Sequence, residues 1–517
     1  MFRKIKNAHL GLILASLLAG CEFKYDPSKK DDAPSSPGTK SPQIFHYRKN
    51  VEAPYTTDDL TEDMPLSKLL DIALYNNPQT RSSWYAARAA AYGYHVSLST
   101  NYPTLAYQGN LQDQTSNGAA SISGVGGAVF PTGSSASATT TTSGTSSSSS
   151  TPSVFISSAF NELTLSYLVL DFGGRYGLQD LAFQTLVQAN WQHNLTMQQV
   201  MLSVINAYTS YIGNIALVSA SEQNLKDAQV LLDAAILMKK YGLATMTDIL
   251  TAQSTVEQMK LNLEQARGAE KTSLAQLLIA LGLPPETEIC VLDLPSKLPV
   301  IEIACDVNSL IELAKEKRPD IGTAIALVNQ QEAELQISRS SGMPVLTFNG
   351  STSRVDFITP KKPYIYNNSI ALNLNFPIFA GFYYINQQKQ IRAQIAEAIA
   401  NVDATVAVVV TEVVTNYYAF TTAEASLPST EALLEYSRRA YRGMVSQYKV
   451  GTASMQDVVT SLTTLSNARA QQVITRTQWA AALANLAFSV GILNDNSGTW
   501  KNAPPQSLYR LNYKDEG

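Results

Sequence analysis

The sequence predicts a mixed α+β membrane protein that is internally duplicated, with long helices and four membrane-crossing strands per chain. Three observations predict it. Five motifs recur in the same order in both halves, four short segments alternate apolar and polar side chains, and each half holds 67 consecutive residues of helix-forming sequence.

The duplication comes first, because self-similarity decides an architecture before any local assignment. Pro78 and Pro103 lie 25 residues apart, as do Pro319 and Pro344. Further on, Val169-Leu170-Asp171-Phe172-Gly173-Gly174-Arg175 corresponds to Pro377-Ile378-Phe379-Ala380-Gly381-Phe382-Tyr383 at an offset of 208. Gly242-Leu243-Ala244-Thr245-Met246-Thr247-Asp248 then matches Gly451-Thr452-Ala453-Ser454-Met455-Gln456-Asp457 at 209, and Leu281-Gly282-Leu283 matches Val490-Gly491-Ile492 at the same spacing. The repeats are therefore placed at 66–283 and 310–493. The first carries 33 additional residues, which fall in a Ser/Thr/Gly tract at 115–153. Such a tract cannot bury enough apolar surface to pack, so an extracellular loop is expected there. Residues 21–65 and 284–309 read as linkers.

Alternation at period two marks the strands. Leu105, Tyr107 and Leu111 alternate with Thr104, Ala106, Gln108, Asn110 and Gln112; Leu163, Leu165, Tyr167 and Val169 alternate with Glu162, Thr164 and Ser166. Leu346 and Phe348 in the second repeat, and Ile370, Leu372, Leu374 and Phe376, do the same. The expected strands are about 103–113, 155–170, 344–353 and 368–377, each near the length that a tilted strand needs to cross a bilayer. A soluble hairpin with one wet face fits the same alternation, but a polar face of amides and hydroxyls also suits a water-filled lumen. Membrane barrels begin at about eight strands. Four strands therefore require other copies, and three chains would close a twelve-stranded barrel.

Gly174 to Lys240 and Gly381 to Gln447 each read as 67 residues of continuous helix. At about 1.5 Å per residue each would span on the order of 100 Å. Leu225, Ala228, Leu232 and Ala235, or Leu202, Ile205 and Ile212, form narrow apolar stripes of the kind that pack on neighbouring helices. Asp248 to Leu283 and Leu310 to Ser341 read as two shorter helices stacked along the return path. One long descending helix would thus pair with two stacked ascending ones, a length able to cross a periplasm. Residues 284–309, joined by 494–517, would make a small mixed α/β equatorial belt halfway along it.

The N-terminus supplies the compartment. Met1-Phe2-Arg3-Lys4-Ile5-Lys6 is basic, and Leu10 to Ala19 is an apolar run too short to span a bilayer, which together read as a signal peptide at 1–20. Leu18-Ala19-Gly20-Cys21 matches a lipobox, so Cys21 is the expected lipidation site, bearing palmitate among its acyl chains. Glu22 in place of aspartate favours the outer membrane, whose lipid then becomes a partner. With 38 basic and 42 acidic residues the formal charge is −4, and no basic block suits nucleic acid. Cys290 and Cys305 remain as a pair in an oxidising compartment, where a disulfide is possible but spacing alone does not set its geometry. His9, His46, His95 and His193 are scattered, with no metal-ligand spacing, phosphate loop or nucleophile elbow. Neither a cofactor nor a metal nor an enzymatic activity is expected.

Two repeats, each with a proline before its first strand, a Leu-Asp-Phe-Gly-Gly-Arg or Pro-Ile-Phe-Ala-Gly turn, and a Tyr-x-x-Gly-x-x-Ser/Thr-x-x-Asp-like turn, resemble the TolC-type outer-membrane efflux family, especially its lipoprotein branch. The resemblance covers roughly residues 60 to 493. It implies a homotrimer with a twelve-stranded membrane barrel and a long α-helical periplasmic barrel, which meets a periplasmic adaptor (membrane fusion) protein and an inner-membrane transporter. It also implies a periplasmic gate, whose residues carry over to Asp248, Tyr448 and Asp457, and adaptor contacts at Gly242, Leu243, Ala244, Thr245, Gly451, Thr452, Ala453 and Ser454. Ala453 and Thr460 stand where some members have charged gate residues. The implied function is a passive conduit for small toxic compounds in a tripartite pump; the alternatives are a channel for type I protein or peptide secretion, and a structural coiled-coil lipoprotein.

Overall fold

The computed structural model describes residues 64–116, 154–287, 289, 291, 306–360 and 362–493. Cys21, Cys290, Cys305, the signal peptide, most of the Ser/Thr tract and residues 494–517 lie outside these. The chain divides into two compact units.

One unit, residues 96–179 and 334–390, holds a single four-stranded sheet. Its strands are β1 (Thr104–Ser116), β2 (Val154–Leu170), β3 (Val345–Thr359) and β4 (Ile365–Asn375), antiparallel and paired in sequence order. The register sorts the side chains by face. Leu105 pairs with Leu165, Tyr107 with Leu163 and Phe348 with Leu372, forming one apolar face. On the other face Gln108, Glu162, Ser353 and Asn367 make one row, and Ala106, Thr164, Ser351 and Ser369 the next. β3 runs six residues past the expected end at 353, because the alternation that marks it fails at Arg354 while the backbone ladder continues to Val355↔Ile365 and beyond on the β2 side.

Where β2 and β4 give way to helices, Phe172 and Phe382 adopt positive φ (50° and 63°) beside Gly173 and Gly381. These left-handed turns are strained for a bulky residue. At the first, Ser340 Oγ donates to the Asp171 carbonyl, and the Asp171 carboxylate accepts from the Arg175 amide. The turn is thereby pinned within its own unit.

The other unit, residues to 95, 180–333 and from 391, is helical. The helices among the described residues, numbered along the chain, are α1 (Leu66–Asn76), α2 (Pro78–Leu98), α3 (Gly174–Lys240), α4 (Met246–Leu281), α5 (Val307–Lys317), α6 (Pro319–Ser341), α7 (Tyr383–Lys449) and α8 (Met455–Val490). Both α3 and α7 are 67 residues long, and both α4 and α8 are 36. The expected single helix at 310–341 is instead two, α5 and α6. Proline disfavours helical backbone in the residue before it, so Arg318 is extended (ψ 124°), as is Asn77 before Pro78 (ψ 127°). The segment read as one continuous helix carries Pro428 inside α7. A proline there removes one ladder hydrogen bond, and hydroxyls on either side of it engage preceding carbonyls, Ser426 Oγ donating to Thr422 O at 2.7 Å and Thr430 Oγ1 to Leu427 O at 2.9 Å.

The duplication is visible in the packing. Leu69 and Ile72 of α1 bury against Val204 and Tyr208 of α3 and Leu277 and Leu281 of α4; Leu310 and Ala314 of α5 bury against Val413 and Phe420 of α7 and Trp479 and Val490 of α8. Each break residue ties its repeat together. Asn77 Nδ2 donates to Ala280 O at 3.0 Å. Arg318, in the equivalent place and almost fully buried, contacts Asp320 at 2.6 Å and Glu412 at 2.8 Å. Of the segment expected to form the equatorial belt, Val291 makes an isolated parallel bridge with Met64, and most of the rest lies outside the described residues.

Gly282 (φ +72°) and Gly242 (φ +77°) both end helices in left-handed geometry, but a Cβ on Gly282 would sit 2.9 Å from the Asn76 backbone, whereas Gly242 has open space. Gly242→Ala is expected to cost about 1–2 kcal/mol from backbone strain alone. Gly282→Ala should lower the thermal midpoint of helical circular dichroism by clearly more; equal shifts would contradict the packing of α1 on the end of α4.

Candidate functional site

The two turns at the far ends of α3 and α7 are built alike. Leucine and alanine stripes bring α3, α4, α7 and α8 together on a common apolar cluster that includes Leu231, Val256, Leu434, Val458 and Leu462. α3 ends when Gly242 takes the left-handed conformation, with its amide donating to Lys239 O at 2.9 Å and the Leu243 amide to Met238 O at 2.9 Å. In α7, Gly451 repeats this, its amide donating to Tyr448 O and that of Thr452 to Gln447 O. Glycine makes the left-handed step without a Cβ penalty.

The next helix starts with a capping box in each case. Thr245 Oγ1 accepts from the Asp248 amide at 3.2 Å, and Asp248 Oδ2 accepts from the Thr245 amide at 2.7 Å. Ser454 Oγ accepts from the Asp457 amide at 3.2 Å, and Asp457 Oδ2 from the Ser454 amide at 3.0 Å. Both carboxylates also complement the helix dipole. The Ser454 hydroxyl and amide hold the Asp457 carboxyl below its ordinary range.

Among the expected gate residues, Asp248 and Asp457 each bond within their own capping box, and the Asp248 charge is felt at Tyr448. Tyr448 is buried, and its hydroxyl lacks a hydrogen-bond partner. Burial first, then the Asp248 charge, push its pKa up. Asp457 bonds Ser454 within its own turn. Of the expected adaptor-contact residues, Gly242, Leu243, Thr245, Gly451, Thr452 and Ser454 are exposed, while Ala244 and Ala453 lean inward against the apolar cluster.

Sequence reasoning missed a polar knot deeper between the helices, formed by Asn224 and Asp227 of α3, Tyr441 of α7, and Ser466 and Arg469 of α8. One signal pointed to it: Asn224 occupies a place in the stripe continued by Ala228, Leu231 and Ala235, yet is polar and buried. Burial, followed by the Asp227 charge and partly offset by Arg469, pushes the Tyr441 phenol up to about 12.

Two glycine-capped, acid-boxed turns at the ends of paired 67-residue helices, with an open four-stranded sheet in the same chain, narrow the comparison with known proteins. The family described as outer membrane efflux protein matches residues 69–283 and 310–492. The chain belongs to that family. It is similar to protein CyaE of Bordetella pertussis, with 22% identity over 437 residues covering 84% of each chain. A probable efflux pump outer membrane protein, TtgC of Pseudomonas putida, is 23% identical over 306 residues, 56% of this chain and 60% of that one. The solved outer-membrane channel OprN shares the fold at a TM-score of 0.69 and 14% identity, over 86% of this chain and 96% of that one. This family member is therefore an outer-membrane channel for efflux or secretion, with long helices joined to strands.

Thr245→Ala removes one cap and is expected to cost about 0.5–2 kcal/mol, read as faster amide exchange in the first turn of α4. For Asp457 the sign is set by its lowered pKa: the capping contribution is present above the ordinary carboxylate value and is lost as pH falls through the lower, folded value. Protection of the amides at the start of α8, measured relative to their intrinsic exchange rates, should therefore fall only below about pH 4, near the ordinary aspartate pKa; protection unchanged through acid would contradict the box.

Proposed function

We propose that the chain is one of three identical subunits of the outer-membrane channel of a tripartite efflux system, a passive conduit that carries small toxic compounds outward. The observation that carries this reading is the sheet. Its apolar face is exposed, with Leu111, Ile370 and Leu374 among the most accessible apolar residues, and β1 and β4 are both unpaired edges. In lipid every backbone group needs a partner, so the edges call for further copies, and three give twelve strands. The helices point the same way. In the most apolar window of α7 only 11% of residues are buried within one chain, against 44% for α3. Both windows pass a length-and-hydropathy test for a membrane span, but helices of 67 residues are far longer than the roughly 20 residues that a bilayer core needs. Their apolar surface fits helix partners better.

Lipidation at Cys21 would anchor the assembly, and the paired turns would face a periplasmic adaptor that links it to an inner-membrane transporter. Exposed Leu243, Met246 and Val450 offer apolar purchase there. Tyr448, Asp248 and Asp457 would line and close the periplasmic aperture, both carboxylates also capping their own helices. Efflux, rather than protein secretion, is supported by the match to the outer membrane efflux protein family and by the likeness to TtgC, a probable efflux pump outer membrane protein.

In planar bilayers, purified full-length protein should conduct weakly, and Tyr448→Phe combined with Asp248→Ala should conduct more. Unchanged conductance would place the closing contacts elsewhere. A deletion strain should gain sensitivity to small toxic compounds, and unchanged sensitivity across the panel, with loss of a secreted protein, would favour secretion.

A further inference from the structure

The hairpins α3–α4 and α7–α8 meet on an apolar cluster that is non-directional and tolerates sliding. The polar knot is directional, and it joins both hairpins. Asn224 Nδ2 donates to Ser466 Oγ at 2.7 Å, while Asn224 Oδ1 accepts from Arg469 Nη1. Arg469 Nη1 also lies 2.8 Å from Asp227 Oδ2, and Tyr441 Oη donates to the Asp227 carbonyl at 3.2 Å. One turn of α3 thus receives contacts from α7 and from α8.

The charges are largely out of water, with 12% of the Arg469 side chain and 20% of Asp227 exposed. Such a pair is screened less than a surface pair, and separating it leaves costly unpaired charge. Arg469 is 15 residues beyond Ser454 and Asp227 is 13 before Lys240, so the knot lies on the order of 20 Å from the turns. At the turns themselves Asp248 and Asp457 bond within their own caps, and the Tyr448 hydroxyl bonds nothing. The directional hold between hairpins is therefore inside the bundle, away from its tip.

Resting on the channel reading above, we propose that Arg469 is a positioning residue for the gate: through Asp227 and Asn224 it latches α8 to α3 and sets the closed position of the α7–α8 hairpin. Opening breaks this latch as well as the contacts at the turns.

The test uses the full-length channel in planar bilayers. Arg469→Gln keeps a hydrogen-bonding side chain without the charge and should raise time-averaged conductance about tenfold, the equivalent of ~1.4 kcal/mol. Exchanging the charges, Arg469→Asp with Asp227→Arg, should restore the wild-type level, which a residue of merely structural importance would not permit. Independently, Asn224→Cys with Ser466→Cys, placed in the variant opened at its turns, should lower conductance on oxidation and recover it on reduction. Wild-type conductance from Arg469→Gln, while the turn variant opens, would overturn the latch. So would an oxidised cysteine pair without effect, even if Arg469→Gln fails to fold. Silence from every form, the turn variant included, would overturn the channel reading and the latch with it.

Discussion

An unpaired strand edge in hydrocarbon leaves backbone N–H and C=O groups without partners, at several kcal/mol for each group. Among the described residues the sheet has two such edges, β1 and β4, and four strands are too few to curl round and pair one with the other. The remaining features follow from that constraint. The apolar face that would meet lipid needs a closed ladder behind it, closure needs further copies, and further copies also give α7 a surface against which to bury its apolar window.

The proposed assembly assigns different work to the two repeats although they share one plan. Both end their long helices with a glycine at φ +77° and restart with a capping box, so both turns are firm and nearly superimposable in local geometry. They differ in what lies behind the turn. Tyr448, buried in the second repeat, has Lys239 as its counterpart at the offset of 209, and Lys239 is exposed. The polar residues that clasp the hairpins are likewise asymmetric: Asn224 and Asp227 come from the first repeat, Tyr441, Ser466 and Arg469 from the second.

Most of the fold was legible in the sequence because its signals are periodic. Alternation at Leu163, Leu165 and Tyr167 marks β2, and a shared run of 67 residues marks α3 and α7. Boundaries that depend on backbone pairing were less legible: β3 continues past Arg354 because the ladder holds there after the alternation stops. The breaks at Asn77 and Arg318 had a local cause in plain view, the prolines that follow them, yet the compensating contacts of Arg318 with Glu412 come from a helix nearly a hundred residues away. The knot around Arg469 was hidden for the same reason. A charged residue on a long helix reads as solvated until the partner helix is placed beside it, and only the buried Asn224 within an apolar stripe hinted otherwise.

The central claim is that four strands are a third of a barrel. Native mass spectrometry of the protein extracted intact from its membrane tests this most directly. The account predicts a dominant species at three times the mass of the mature chain; a dominant species of one chain, folded and lipid-bound, would contradict it.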